Sequence, residues 1–271
     1  MTRFSEVSRR FYVLHSVVPF EEDTTHEFKG HRNISIEEIP PWCFIPGTDR
    51  RSRKAVSRNI NGFLNTGKGG TIYLGIVDNG SVKGLHLTLY QKDHVVIAVK
   101  DALSRYTPPV PEEYYKVEIV PVIRKEEVGN VETALQLQHD RDDEETTNRH
   151  RPHVLRTSEY CWCDREAMDA FNEGLPAPLY VVEITVFPWK PKVKTDKGQH
   201  CPNLHPVYED EEGKCYFRRQ ASLVQYSVQE VVELTKQEVH NHFKPLFSSI
   251  KEEMKMIKEH YFSLYNHTEG S

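Results

Sequence analysis

Short stretches in which apolar and polar residues alternate, separated by stretches with apolar residues at helical spacing, set the first expectation for this chain. Residues 9–18 are aromatic and β-branched and predict a first strand that delivers the chain to Pro19. Residues 25–29 predict an extended segment in which Glu27 and Lys29 share one face and Phe28 turns to the other. From residue 51 onward Ala55, Val56, Ile60, Phe63 and Leu64 recur at intervals of three and four, which predicts an amphipathic helix ending at Asn65-Thr66-Gly67. Ile72, Leu74 and Ile76 then alternate along one face, and Asp78-Asn79-Gly80 predicts a hairpin turn with residues 82–85 returning. Residues 95–103 read as helix, 114–122 and 180–187 as strands, and 215–219 as a short edge strand.

The interruptions in this pattern set the organisation. Residues 34–49 carry Pro40-Pro41 and Pro46-Gly47, cannot form a regular helix interior, and predict a surface excursion. Residues 124–153 are too poor in apolar side chains to join a core and predict a mobile charged insertion. A basic, proline-containing loop follows over 188–206. Ser227 and Glu230 form a Ser-x-x-Glu capping box that opens a helix. Beyond it the tail is helical in period, is interrupted at Pro245, and carries an apolar stripe of Leu246, Ile250, Met254, Ile257 and Phe262 suited to a partner. The expectation is an α/β (α+β) fold, with a mixed β-sheet flanked by helices over residues 10–236 and a helical tail over 237–271. No second copy of the acidic segment occurs, so one lobe is expected.

Composition narrows the class. A chain of 271 residues with 38% hydrophobic content can bury one sizeable core. A formal net charge of −5 excludes a uniformly basic nucleic-acid binder, so any such binding must use local clusters. Arg51, Arg53 and Lys54, Lys190 and Lys192, and Arg218 and Arg219 supply them, and a solvated surface is the ordinary reading of each. No stretch approaches ~18 consecutive apolar residues and no signal-like segment opens the chain, so an intracellular, cytoplasmic protein is expected, with the nucleus open and no membrane. Cys43, Cys161, Cys163, Cys201 and Cys215 lack framework spacing and are expected as free thiols.

Three acidic residues beside short strands carry the candidate chemistry. Glu22, Glu27 and Asp78 can supply hard oxygen ligands to Mg²⁺ or Mn²⁺ for attack on a phosphodiester, provided a bend at Asp23-Thr24 brings Glu22 round to Glu27. Lys29 would hold a phosphate, His26 would move protons, and Trp42, Trp189 or Tyr216 would offer planes to unpaired bases. The same residues also read as an acidic loop, a surface ion pair and the aspartate of a turn. Residues 67–70 lack the order of a phosphate-binding P-loop and precede a strand. Cys161-Trp162-Cys163, or His200 and Cys201 with His205 and Cys215, can bind zinc but lack a recognised paired spacing, and the other histidines are scattered.

Taken in order, Glu22, Glu27-Phe28-Lys29, Phe63-Leu64-Asn65-Thr66, Gly69-Gly70, Tyr73-Leu74-Gly75, Asp78 and Tyr216-Phe217-Arg218-Arg219 resemble the Schlafen and Schlafen-like family, through its AlbA-type core domain. The likeness spans residues 20–234, with insertions. It implies an α/β lobe that pairs with a second lobe to cradle structured RNA. It also implies a metal-dependent endoribonuclease site, cutting tRNA-like RNA or small-RNA precursors, on Glu22, Glu27 and Asp78, with Lys29 in an electrostatic role. A non-catalytic RNA- or DNA-binding subunit is the alternative. A single lobe implies a homodimer or a hetero-oligomer with a related lobe. Two departures stand out: Asp23 replaces a small residue, and Pro188-Trp189 replaces the paired cysteines of the family's zinc site, so that zinc is not carried over.

Overall fold

The computed structural model describes residues 10–48, 51–155, 161–190 and 205–268. Two compact units emerge, one spanning residues up to 189 together with 207–225, the other built on the segment from 226 onward. The first unit is an α/β fold on a mixed sheet. Its strands are β1 (Tyr12–Val13), β2 (His26–Lys29), β3 (Gly70–Leu74), β4 (Leu85–His86), β5 (Tyr115–Ile123) and β6 (Leu179–Val186), in the order β1-β5-β6-β3-β2, with β4 also on β6. β1 runs parallel to β5 and β2 parallel to β3, while β6 is antiparallel to its neighbours. The run Tyr-Val-Val-Glu-Ile-Thr-Val makes β6 the strand buried on both faces.

Two cores lie on the two faces of this sheet, and side-chain alternation assigns residues between them. Ile72 and Leu74 of β3 and Val182 and Ile184 of β6 face α1 (Val56–Thr66) and α2 (Leu89–Ser104), packing on Ile60, Phe63, Val95, Val99 and Leu103. Tyr73 and Val181 turn the other way, onto Phe28, Val122 and Phe20. Helix α1 carries the predicted apolar spacing and stops at Gly67. Helix α2 starts at a capping box in which Gln91 N–H donates to Thr88 Oγ1 and Thr88 N–H to Gln91 Oε1, both at 3.2 Å.

Several elements differ from the sequence expectation. The first strand shrinks to two residues. The hairpin reduces to one bridge, Ile76 to Val82, because β3 spends its ladder on β2 and β6. Residues 34–48 contain two 3-10 turns, Ile36–Glu38 and Pro41–Cys43, and Ile34, Ile39 and Cys43 are buried, so the excursion is anchored. The charged stretch expected as a mobile insertion contains α3 (Val131–Thr147), which buries Ala134 and Leu135 beside Ile123. Polar bonds complete its docking: both Asp142 oxygens lie 2.6 Å from Lys92 Nζ, and Leu89 N–H donates to Glu145 at 2.6 Å. Few apolar residues suffice when the charges have fixed partners.

Strand β7 (Cys215–Arg219) joins β8 (Ser222–Tyr226) in a separate two-stranded sheet instead of edging the main one, and Cys215 to Arg218 are buried. In the second unit α5 (Val228–Thr268) opens at the predicted Ser227–Glu230 box and continues through Pro245. Its stripe residues Leu246, Ile250, Met254, Ile257 and Phe262 are exposed.

Gly69 and Gly70 show why the α1–β3 connection needs glycine. A Cβ on Gly69, whose φ is +69°, would lie 2.5 Å from Val186 O and 2.7 Å from Pro188 N, both backbone atoms. On Gly70 it would lie 2.5 Å from the Phe63 ring and 2.7 Å from Thr25 O. The pair serves close packing. Gly69→Ala should destabilise the first unit by about 1–3 kcal/mol, read as a lower denaturant midpoint at unchanged slope.

Candidate nuclease site and a buried histidine–cysteine cluster

The site begins with the turn before β2. Asp23 Oδ1 accepts from Thr25 N at 2.6 Å, Thr25 Oγ1 at 2.9 Å and His26 N at 2.8 Å, and Asp23 N donates to His26 O. This is the bend that the spacing of Glu22 and Glu27 demanded. Burial alone would raise the Asp23 carboxyl, but these donors and His26 hold it at about 2. The chain thereby doubles back along β2, the edge strand, and Glu22 Oε1 accepts the Phe28 N–H at 2.8 Å, an amide that does not enter the ladder to β3.

Glu27 is 6% exposed, so its charge must be matched internally. Oε1 accepts from Lys29 Nζ and Oε2 from Arg218 Nη1. Arg218 also donates to Asp23 O through Nε at 3.1 Å and to His26 O through Nη2 at 3.1 Å, and its guanidinium lies 4.8 Å from the centre of the Phe63 ring. One buried arginine therefore fixes both the Glu22–Glu27 turn and the Glu27 carboxylate.

Arg218 is placed by asparagines on α1. Asn65 Nδ2 donates to Tyr208 O at 2.9 Å and Tyr216 O at 3.1 Å, while Asn65 Oδ1 accepts from Tyr208 N at 2.7 Å. Asn61 Oδ1 accepts from Tyr216 N at 2.7 Å and its Nδ2 donates to Tyr208 O at 2.9 Å. Thr66 Oγ1 takes the Arg218 N–H at 3.0 Å. Side-chain amides here substitute for a missing sheet neighbour, so the Asn65-Thr66 motif, distant from Glu27 in sequence, controls where the Glu27 partner sits.

Asp78 lies exposed on the turn closed by the Gly80 N–H to Val77 O bond. Burial raises the Glu22 carboxyl above its ordinary range; the Phe28 N–H and Lys29 oppose this, and the Glu27 and Asp78 carboxylates add to it. Glu22 is therefore within electrostatic reach of Glu27, Asp78 and Lys29.

Other predicted residues fall elsewhere. His26 projects on the opposite face from Glu27, its ring 4.7 Å from that of Phe20 and its Nδ1 3.0 Å from Asp23, so it does not join the acids. Arg218, expected to grip nucleic acid, is instead committed to Glu27, and Tyr216 is buried under Arg58. Arg53, Lys54, Lys190 and Arg219 are exposed, and Arg51 is half-buried over the Phe44 ring. Trp42 is exposed, Trp189 half-buried. Lys192, His200 and Cys201 lie outside the described residues, while His205 is half-buried and Cys215 is buried in β7. Gly30, Trp42 and Arg53 line one cavity of ≈ 510 Å³, which starts beside Lys29 in sequence and reaches His94 and Cys161.

A second constellation was not legible from spacing. His94 on α2, His153 beyond α3, Cys161 at the N-cap of α4 (Trp162–Asn172) and Cys163 in its first turn are all buried, with one ligand atom from each lying within 4.8 Å of the others. These four can hold a metal ion, and their donor set suits zinc better than magnesium or manganese. The expectation of scattered histidines missed it; Cys161-x-Cys163 was the local signal, and the histidines join it only through the fold.

The Schlafen, AlbA_2 family model matches residues 22–227, from the first site glutamate to the cap of α5. No individual curated protein matches the chain. The matched domain points to a nucleic-acid-related function. With the acids, the Asn65-Thr66 clamp and Arg218 all falling inside a match that covers most of its length, the chain belongs to the Schlafen AlbA_2 family.

Proposed function

We propose that this chain is a metal-dependent endoribonuclease of Schlafen type, acting on structured, tRNA-like RNA or small-RNA precursors. The electrostatic coupling of Glu22 to Glu27, Asp78 and Lys29, with Lys29 paired to Glu27, supports the reading. Burial is the main cause of the raised Glu22 carboxyl and the Glu27 and Asp78 carboxylates add to it, a repulsion that a divalent cation would relieve; carboxylate oxygens suit Mg²⁺ or Mn²⁺. When bound, the ion would neutralise non-bridging phosphate oxygens and acidify the attacking water. The protein supplies the rest. Arg218 holds Glu27 in place. Lys29 leaves Glu27 Oε1 to meet a phosphate oxygen as charge builds on it during addition of water across a P–O bond.

Arg51, Arg53, Lys54 and Arg219, with Trp42 for an unpaired base, would hold the flanking strand. A second lobe, from another copy or a related chain, would complete a cradle, with the exposed α5 stripe as a contact, and the cytoplasm fits such substrates.

One observation favours a second reading, a non-catalytic binding subunit: both Glu27 oxygens already have cationic partners. Incubation of the purified chain with a folded tRNA, in Mn²⁺, Mg²⁺ or EDTA, separates the two. Cutting with Mn²⁺ or Mg²⁺ that EDTA abolishes is expected. Binding without cutting under every condition overturns the enzyme reading in favour of the subunit.

A further inference from the structure

We propose that His94, His153, Cys161 and Cys163 form a closed, structural zinc site that pins α2, α4 and the segment after α3 together. The distances already describe the shell of such an ion. A tetrahedron with Zn–S about 2.3 Å and Zn–N about 2.05 Å has N···N, N···S and S···S edges of about 3.3, 3.6 and 3.8 Å. His94 Nδ1 lies 3.1 Å from His153 Nε2, Cys163 Sγ 3.6 Å from His94 Nδ1, and Cys161 Sγ 3.8 Å from His153 Nε2. These three contacts match the edges of one tetrahedral shell, and all four ligand atoms fall within 4.8 Å of one another.

The surroundings fit a metal rather than a hydrogen-bonded knot. His94 Nε2 lies 3.3 Å from Glu38 Oε1, the carboxylate–histidine pairing that leaves Nδ1 free to coordinate. With the His94 proton on Nε2, its Nδ1 lone pair faces His153 Nε2 and the Cys163 sulfur. Zinc would displace both thiol protons to solvent, and two thiolates with two neutral imidazoles leave the buried centre without net charge.

Four protein ligands, all buried, leave no position for water, so the role is structural. Glu38 extends the clamp to the Ile36–Glu38 turn and the cavity that also holds Trp42 and Arg53. The site is separate from Pro188-Trp189, where the family resemblance would place zinc.

The test is metal analysis of the full chain, purified without chelator from zinc-supplemented medium, followed by cobalt exchange. One zinc per chain is expected. The Co²⁺ form should show the intense d–d absorption of a tetrahedral ion and a thiolate charge-transfer band that Cys163→Ser weakens and Cys215→Ser does not. Glu38→Gln should weaken zinc binding about 10–100-fold. If Cys163→Ser does not fold, the wild-type cobalt spectrum and a fall in Tm on chelation, restored by zinc, carry the decision. Substoichiometric metal together with a Tm that neither chelator nor zinc moves overturns the site, whatever the outcome of the RNA assay.

Discussion

Asp78→Asn should abolish metal-dependent RNA cleavage, by about 100-fold or more, while leaving the protein folded and able to bind RNA. The activity loss follows from removing one anionic oxygen donor from a three-carboxylate site, where a single charge-stabilising group is worth about 3 kcal/mol at the transition state. The stability argument is separate. Asp78 is exposed, sits in a turn that asparagine serves equally well, and has no side-chain hydrogen bond among the described residues, so the change should stay within about 0.5 kcal/mol. It is a cleaner probe than any change at Glu27, whose removal would strand Arg218. Single-turnover cleavage and RNA binding measured side by side read the result. An unchanged rate removes Asp78 from the site.

The second large effect is structural. Arg218→Met should destabilise the first unit by about 3–5 kcal/mol, because Glu27 would stay buried with half its cationic partners gone and the Asp23 and His26 carbonyls would lose their donor. For a domain of this size that is a fall in Tm on the order of 10 °C. Methionine keeps much of the packing volume over Phe63, so the loss reports the charge. Adding Glu27→Leu to Arg218→Met should recover most of it, since replacing both members of a buried pair is far milder than breaking one. A single variant within about 1 kcal/mol of wild type would mean that the pair is held by Lys29 alone.

Local pattern revealed much of this molecule. The spacing of Val56, Ile60 and Phe63 located α1, the alternation at Ile72 and Leu74 located β3, and Ser227 with Glu230 located the start of α5. The bend at Asp23 that the spacing of Glu22 and Glu27 demanded is present. These succeed because turns, caps and one-face periodicity depend on neighbours a few residues away.

What failed shares the opposite cause. Residues 131–147 looked too polar for a core, and only the folded chain supplies Lys92, Tyr180 and Ile123 as their partners. Arg218 looked like a surface cation and is an internal one, because β7 leaves the main sheet to lie on α1, held by Asn61 and Asn65. His94 and His153 carried no signal, since ligands from separate elements meet only when α2 and α4 pack. The sequence by itself determined α1, β3, the start of α5 and the identity of the acidic residues. Tertiary structure alone decided which charges are buried against which, and so which residues form a site: burial and pairing depend on contacts across the chain that no local spacing encodes.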